Sequence, residues 1–116
     1  MPQIIFRYKK GIEVSPQTAS YICQLVAKAA STEARPLTEA DVDWIPQQYE
    51  LGARVPANIA IEIRTIGYPD RIAKMDEKAM RALKFEIIAL REFPGALIPK
   101  DPILWVQFLD PQGVHV

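Results

Sequence analysis

The order of hydrophobic patterns constrains the fold of this 116-residue chain most, because strand, helix and strand follow one another twice. In the first half, one apolar strand is predicted at residues 3–9 and another at residues 42–47. The helix between them begins at Ser15-Pro16, since serine is a good N-cap and proline suits the first helical position. The apolar face of this helix comprises Tyr21, Ile22, Leu25, Val26 and Ala29.

The second half repeats this order. Residues 58–65 alternate isoleucine with small or charged residues, as a half-buried strand does. A long helix is predicted over residues 71–92 and a last strand over Ile103–Leu109. The inner face of the long helix is predicted to comprise Ile72, Met75, Ala79, Leu83, Ile87 and Leu90.

Two such halves predict an α+β fold: a single domain, residues 1–116, in which a four-stranded mixed sheet carries two helices on one face. The other sheet face would present Ala60, Glu62, Arg64, Trp105 and Gln107. That surface is too mixed for a second core, yet Trp105 is too large to be exposed without a reason. Burial against other subunits would resolve this conflict.

Glu62 is predicted to pair with a cation on a neighbouring strand or subunit. Pairing with Arg64 is disfavoured, because neighbouring residues on one face of a strand lie about 6–7 Å apart.

The composition excludes several classes of function. The 14 basic residues balance 14 acidic ones, so no positive field attracts nucleic acid or an anionic membrane. The single cysteine, Cys23, excludes an internal disulfide, and its place in a helical pattern predicts a buried, inert thiol. Without a signal peptide or a membrane-spanning apolar run, we expect a cytoplasmic protein, and we expect neither a cofactor nor a metal.

Pro2 stands directly before the first apolar strand. If Met1 is removed, Pro2 becomes a secondary amine at the start of an ordered element. Apolar surroundings and nearby cations lower the pKa of such an amine towards neutrality, where it can act as a base. The alternative is structural, because a proline can open an edge strand, where its missing N–H costs little.

Three local patterns accompany Pro2. Arg35-Pro36 precedes the stretch Trp-Ile-Pro-Gln-Gln at residues 44–48, residues 63–67 read Ile-Arg-Thr-Ile-Gly, and residues 103–108 read Ile-Leu-Trp-Val-Gln-Phe. With Pro2 and the doubled strand–helix–strand order, these patterns make the chain resemble the tautomerase superfamily, particularly its long-chain members. The resemblance covers nearly the whole chain, mostly as pattern rather than as identity.

This resemblance implies a homotrimer whose active sites lie at subunit interfaces around an N-terminal proline. Pro2 would be the catalytic base. Arg35 and Arg64 would bind a substrate carboxylate, because a guanidinium group offers it two parallel hydrogen bonds. The structural alternative for either arginine is a cation in water.

The resemblance implies three further pocket residues. Ile66 would offer its backbone N–H, Trp105 would form a wall, and Gln107 would donate its amide to an enolate oxygen. The alternatives are interface packing for Trp105 and an interface hydrogen bond for Gln107. The chain departs from the superfamily at Tyr68, where some members carry a second arginine, and Arg71 would either substitute for it or lie in water. We therefore rank tautomerisation above hydration or dehalogenation.

The sequence thus predicts a tautomerase or isomerase that uses the Pro2 amine on a small enolisable oxo acid, provided that Met1 is removed. The expected partner is a small carboxylate-bearing substrate, with no nucleic acid and no membrane. The alternative is a non-catalytic tautomerase-like trimer that binds a small ligand or a protein partner.

Overall fold

The computed structural model describes residues 2–8, 14–48, 59–90 and 103–109, apart from the side chains of Ile103 and Trp105. The elements follow the predicted order in both halves. The strands are β1 Gln3–Tyr8, β2 Asp43–Gln48, β3 Ile59–Ile66 and β4 Ile103–Leu109. The helices are α1 Pro16–Ala30, α2 Pro69–Lys74 and α3 Glu77–Ala89, with a single 3-10 turn at Glu39–Asp41.

The four strands form one mixed sheet in the order β2-β1-β3-β4. The two strands of each half pair in parallel, β1 with β2 and β3 with β4, because a helix carries the chain back between them. The halves meet in the centre, where β1 and β3 run antiparallel. The predicted α+β class and four-stranded mixed sheet are therefore confirmed.

The core lies between one face of the sheet and the helices. Alternate residues of β1 and β3 point to this side and are almost fully buried: Ile4, Phe6, Ile59, Ile61 and Ile63. The helices bury an apolar stripe against them, whose most buried members are Ile22, Val26, Leu83 and Ile87. Both halves thus cover the same face of the sheet, as predicted.

The start of α1 agrees with its sequence signal. The Oγ of Ser15 accepts a hydrogen bond from the Thr18 N–H at 3.2 Å, and Pro16 occupies the first helical position. Cys23, on the inner face of α1, is buried as predicted. Burial, together with the nearby charge of Glu39, raises the pKa of its thiol to about 11, so the thiolate is scarce at neutral pH.

The long helix predicted over residues 71–92 is divided in two. Helix α2 ends at Lys74, and Asp76 is the N-cap of α3, where its Oδ1 accepts a hydrogen bond from the Ala79 N–H at 2.8 Å. The aspartate side chain takes a backbone donor that a continuous helix would use, and the uninterrupted apolar spacing hides this break. The inner position predicted for Ile72 was wrong, since 42% of Ile72 is exposed. The inner residues found buried are Met75, Leu83, Ile87 and Leu90.

Some predicted boundaries fall elsewhere. Strand β2 is shifted by one residue from the predicted 42–47. Residues 9, 58 and 91–92, predicted as ends of elements, lie outside the described residues. Within the described ranges, no helix combines the length and the hydropathy that crossing a membrane requires.

Gly67 follows the last residue of β3 and joins it to the end of β4. Its N–H donates to the Leu109 carbonyl at 2.6 Å, so the two backbones approach closely. A Cβ at position 67 would lie 3.0 Å from the Cβ of Phe108 and 3.2 Å from the Leu109 oxygen. The neighbouring backbone cannot yield as a flexible side chain would.

We expect Gly67→Ala to lower the free energy of unfolding by about 1–3 kcal/mol, as overpacking in a close-packed region does. Urea unfolding followed by circular dichroism measures this. A glycine-to-alanine change that fits stabilises a protein by about 0.4–1 kcal/mol through the unfolded chain. A more stable variant would therefore contradict the close approach.

Candidate active site

Pro2 lies at the end of the sheet where β1 begins and β3 ends. It is fully buried, and its carbonyl accepts a hydrogen bond from the Asp43 N–H at 3.0 Å, which ties it to the start of β2. Gln3 is opposite Arg64, so the next antiparallel position places Pro2 beside Thr65. The alternation of β1 assigns Pro2 to the helix side of the sheet.

Arg71 of α2 is buried at the same end of the sheet, with 4% of its surface exposed. Its Nε donates to the Ala30 carbonyl at 3.0 Å, and its Nη1 donates to the Thr65 Oγ1 at 2.8 Å and to the Ile66 carbonyl at 3.5 Å. Burial lowers the pKa of the guanidinium group from its ordinary value, but an arginine stays charged at neutral pH. Of the two alternatives given for Arg71, a place in water is therefore excluded.

The ring of Tyr68 lies close to the guanidinium groups of both Arg35 and Arg71. The Cζ of Arg35 lies 3.5 Å from the centroid of the Tyr68 ring, at a distance typical of a cation–π contact. The Cζ of Arg71 lies 5.4 Å from the same centroid. The residue that departs from the superfamily pattern thus contacts two guanidinium groups.

Asp70 completes this group, which we call the Tyr68 cluster: Arg35, Tyr68, Asp70 and Arg71. Its Oδ1 lies 3.6 Å from the Nη1 of Arg35 and accepts a hydrogen bond from the Arg71 N–H at 3.0 Å. A hydrogen bond from the Thr32 side chain is the largest cause that holds the pKa of Asp70 below its ordinary value. With two guanidinium cations and one carboxylate, the cluster is positive. A cleft of about 640 Å³ opens beside Asp70, between residues 31–34 and Lys74.

Arg64 belongs to a different group, on the sheet face opposite the helices. Its Nε contacts the Glu62 Oε2 at 2.7 Å, and the Nη1 of Arg7 contacts the Glu62 Oε1 at 2.8 Å. The predicted cross-strand cation exists, and the disfavoured pairing of Glu62 with Arg64 exists beside it. An arginine side chain is long enough to cover the spacing along a strand.

Glu62 is 5% exposed despite its charge. Burial raises the pKa of its carboxyl group, but hydrogen bonds from Arg64 and Arg7 and their charges outweigh burial, so the pKa lies below its ordinary value of 4.5. The buried carboxylate is thus compensated by two cations.

The structure divides the six predicted site residues between these places. Pro2, Arg35 and Ile66 lie at the end of the sheet that carries the Tyr68 cluster. Arg64 and Gln107 are partners in the pairing of β3 with β4 and belong to the opposite face, and the backbone of Trp105 is the register partner of Glu62. Within the described residues, one chain does not bring all six together.

Sequence reasoning did not assign the role of Arg71. The sequence does contain one signal for the burial of Arg71. It precedes Met75 by four residues and therefore shares the buried face of its helix. An arginine at an inward position is a candidate for a buried hydrogen-bonded cation. The role of Tyr68 as a platform for two arginines has no comparable signature in the sequence.

Several solved structures share this architecture. A macrophage migration inhibitory factor-like protein from Entamoeba histolytica aligns with a TM-score of 0.58 at 10% identity, over 94% of this chain and 89% of that one. N1, a member of the cis-3-chloroacrylic acid dehalogenase family, aligns with a TM-score of 0.61 at 12% identity, over 98% of this chain and 79% of that one. A symmetric trimer of fused 4-OT aligns with a TM-score of 0.55 at 13% identity, over 98% of this chain and 90% of that one.

The chain therefore has a tautomerase-like fold, as the resemblance in sequence predicted. No profile of a known protein family matches the sequence. No curated protein matches it significantly either. At these identities the similarity establishes the fold, and the roles of residues must be argued from the site.

We expect Glu62→Gln to lower the free energy of unfolding by about 1–3 kcal/mol at pH 7, because two arginines lose a charged acceptor. Since the folded-state pKa of Glu62 is lowered, its contribution is present above the unfolded pKa and is lost as the pH falls through the folded pKa. The difference between wild type and variant should therefore shrink below about pH 4.5. Urea unfolding at a series of pH values measures it.

The matched control is Glu77→Gln, because Glu77 pairs with Arg81 on the surface of α3. Its effect should stay within about 0.5 kcal/mol. A Glu62→Gln effect that did not change with pH would contradict the ion pairs.

Proposed function

We propose that this protein is a tautomerase or isomerase that acts on a small enolisable oxo acid, with the amine of Pro2 as general base once Met1 is removed. The observation that supports the proposal most directly is the place of Pro2. It is a buried proline at the start of β1, at the end of the sheet where the Tyr68 cluster holds two guanidinium groups.

The surroundings suit a base. Burial and nearby cations both favour the neutral form of an amine. The neutral Pro2 nitrogen removes a proton from the carbon next to the substrate carbonyl. The electron pair of that C–H bond forms the C=C bond of the enolate, and the π pair of the carbonyl moves onto its oxygen. Return of the proton to the oxygen, or to another carbon, completes the tautomerisation.

Arg35 binds the substrate carboxylate in this proposal. Its side chain is 42% exposed, and its guanidinium group is held against the Tyr68 ring and near Asp70. A planar group that is already oriented loses less entropy when it forms two parallel hydrogen bonds. Arg64 is proposed as a second carboxylate ligand.

The remaining predicted residues complete the pocket. The Ile66 N–H and the Gln107 amide are proposed to stabilise the enolate oxygen, and Trp105 is proposed to form a wall. Because Gln107 and Arg64 lie on the sheet face opposite Pro2 and Trp105 is the register partner of Glu62, we propose that a second subunit carries these three residues to the site.

We therefore expect a homotrimer in solution. The face that carries Glu62 is too mixed for a core and would be covered by neighbouring subunits, and one of the similar structures is a symmetric trimer. Light scattering on a sizing column should give three times the mass of one chain at micromolar concentration. A monomer under these conditions would contradict the shared site.

We expect Pro2→Ala to lower kcat/KM for the ketonisation of a phenylenolpyruvate-type enol by about 10²–10⁴-fold, the usual contribution of a general base. An alanine amine is a primary amine, which is less basic than the ring amine of proline and is free to rotate away from the substrate. Intact mass must first show that wild type and variant both begin at residue 2. The matched control is Pro16→Ala, at an exposed position of α1, which should leave activity unchanged.

Two outcomes would contradict the proposal. Activity that survives Pro2→Ala would refute the assigned base. A trimmed wild type without turnover would favour the alternative, a trimer that binds a ligand or partner without catalysis.

A further inference from the structure

The outer face of α3 carries a second apolar stripe, apart from the one that packs in the core. Phe85 is 65% exposed, and the exposed Ala82 and Ala89 lie three residues before it and four residues after it. The exposed Lys78 extends the line by one turn, and we call these four residues the outer α3 stripe. Spacings of four, three and four residues are typical of the seam between two packed helices.

A groove of about 240 Å³ lies beside this stripe, between α1 and α3. Ala79 and Ala82 line it from α3, and Leu25 and Ala29 line it from α1. Because the alanines are small, the two helices leave an apolar space between them. Phe85 of the same chain is not among the residues that line the groove. The groove is therefore open to an aromatic ring from elsewhere.

The charges beside the stripe are symmetrical about Ala82. Lys78 lies four residues before it and Glu86 four residues after it. These two residues are about 12 Å apart along the helix, so they cannot pair with each other. Within the part of the chain that the structure describes, neither forms an ion pair. An antiparallel copy of α3, with its Ala82 opposite this one, would place each lysine against the glutamate of the other copy.

We propose that the outer α3 stripe binds the same stripe of a second copy of this chain, with the two helices antiparallel and a two-fold axis at Ala82. Each residue then faces the one that lies equally far on the other side of Ala82. Phe85 faces the partner's Ala79 and enters the groove beside it. Lys78 faces the partner's Glu86, and the small side chain of Ala82 lets the two helices approach closely.

This contact goes beyond the proposed function, because it uses the helix side of the molecule and the proposed trimer covers the other face of the sheet. A single helix pair buries less surface than the roughly 1,200–2,000 Å² of a stable interface. We therefore expect a dissociation constant of about 0.1 mM. The contact is then open at micromolar concentration, where the trimer is expected.

Sedimentation equilibrium between about 10 µM and 1 mM tests the contact. The average mass of wild type should rise with concentration. Phe85→Ser should raise the dissociation constant at least about tenfold, because the contact loses its largest side chain. The matched control is Ile72→Ser, which removes an exposed apolar side chain from α2. This control should associate as wild type does.

A charge exchange tests the antiparallel arrangement. Glu86→Lys places two pairs of lysines opposite each other and should raise the dissociation constant about fivefold or more. Lys78→Glu should do the same with two pairs of glutamates. The double variant restores both ion pairs with the charges exchanged, so its dissociation constant should return to within about threefold of wild type.

A wild type that keeps one mass up to about 1 mM would overturn the proposal, and so would a stripe that binds only a different protein. Association that Phe85→Ser leaves unchanged, or a double variant no better than the single ones, would overturn it as well. If Phe85→Ser does not fold, the charge variants decide alone. The mass measurement needs no turnover, so its result does not depend on the proposed function.

Discussion

The buried guanidinium group of Arg71 connects parts of the chain that are distant in sequence. It binds Ala30 at the end of α1 and Thr65 near the end of β3. It also lies against Tyr68, which in turn contacts Arg35. Because an unpaired buried charge is costly, these elements must keep their relative positions for the cation to stay hydrogen-bonded. The same contacts therefore fix the packing of α1 on the sheet and the geometry of the candidate site.

The architecture was predictable because its causes are local or periodic. Alternating isoleucines in β3 define a buried face, and Ser15-Pro16 defines the start of α1. Two strand–helix–strand halves leave few ways to build one sheet. The break before α3 was not predictable in this way, because one hydrogen bond from Asp76 decides it while the apolar spacing continues.

The site was only partly predictable. Pro2 and Arg35 could be named from their positions and from the resemblance to a superfamily, but their roles stay predictions. The burial of Arg71 depends on a contact with Ala30, 41 residues away, which no periodicity within one helix records. The pairing of Glu62 with Arg64 was disfavoured because backbone spacing was considered without the reach of the side chain.

The close approach at Gly67 limits which positions of this site can change in related chains. This glycine immediately precedes Tyr68, and its amide and missing Cβ keep β3 and β4 together. Any larger residue there would force the two strands apart. In related chains, the side chain at position 68 can therefore differ, whereas the junction between the strands must stay unchanged.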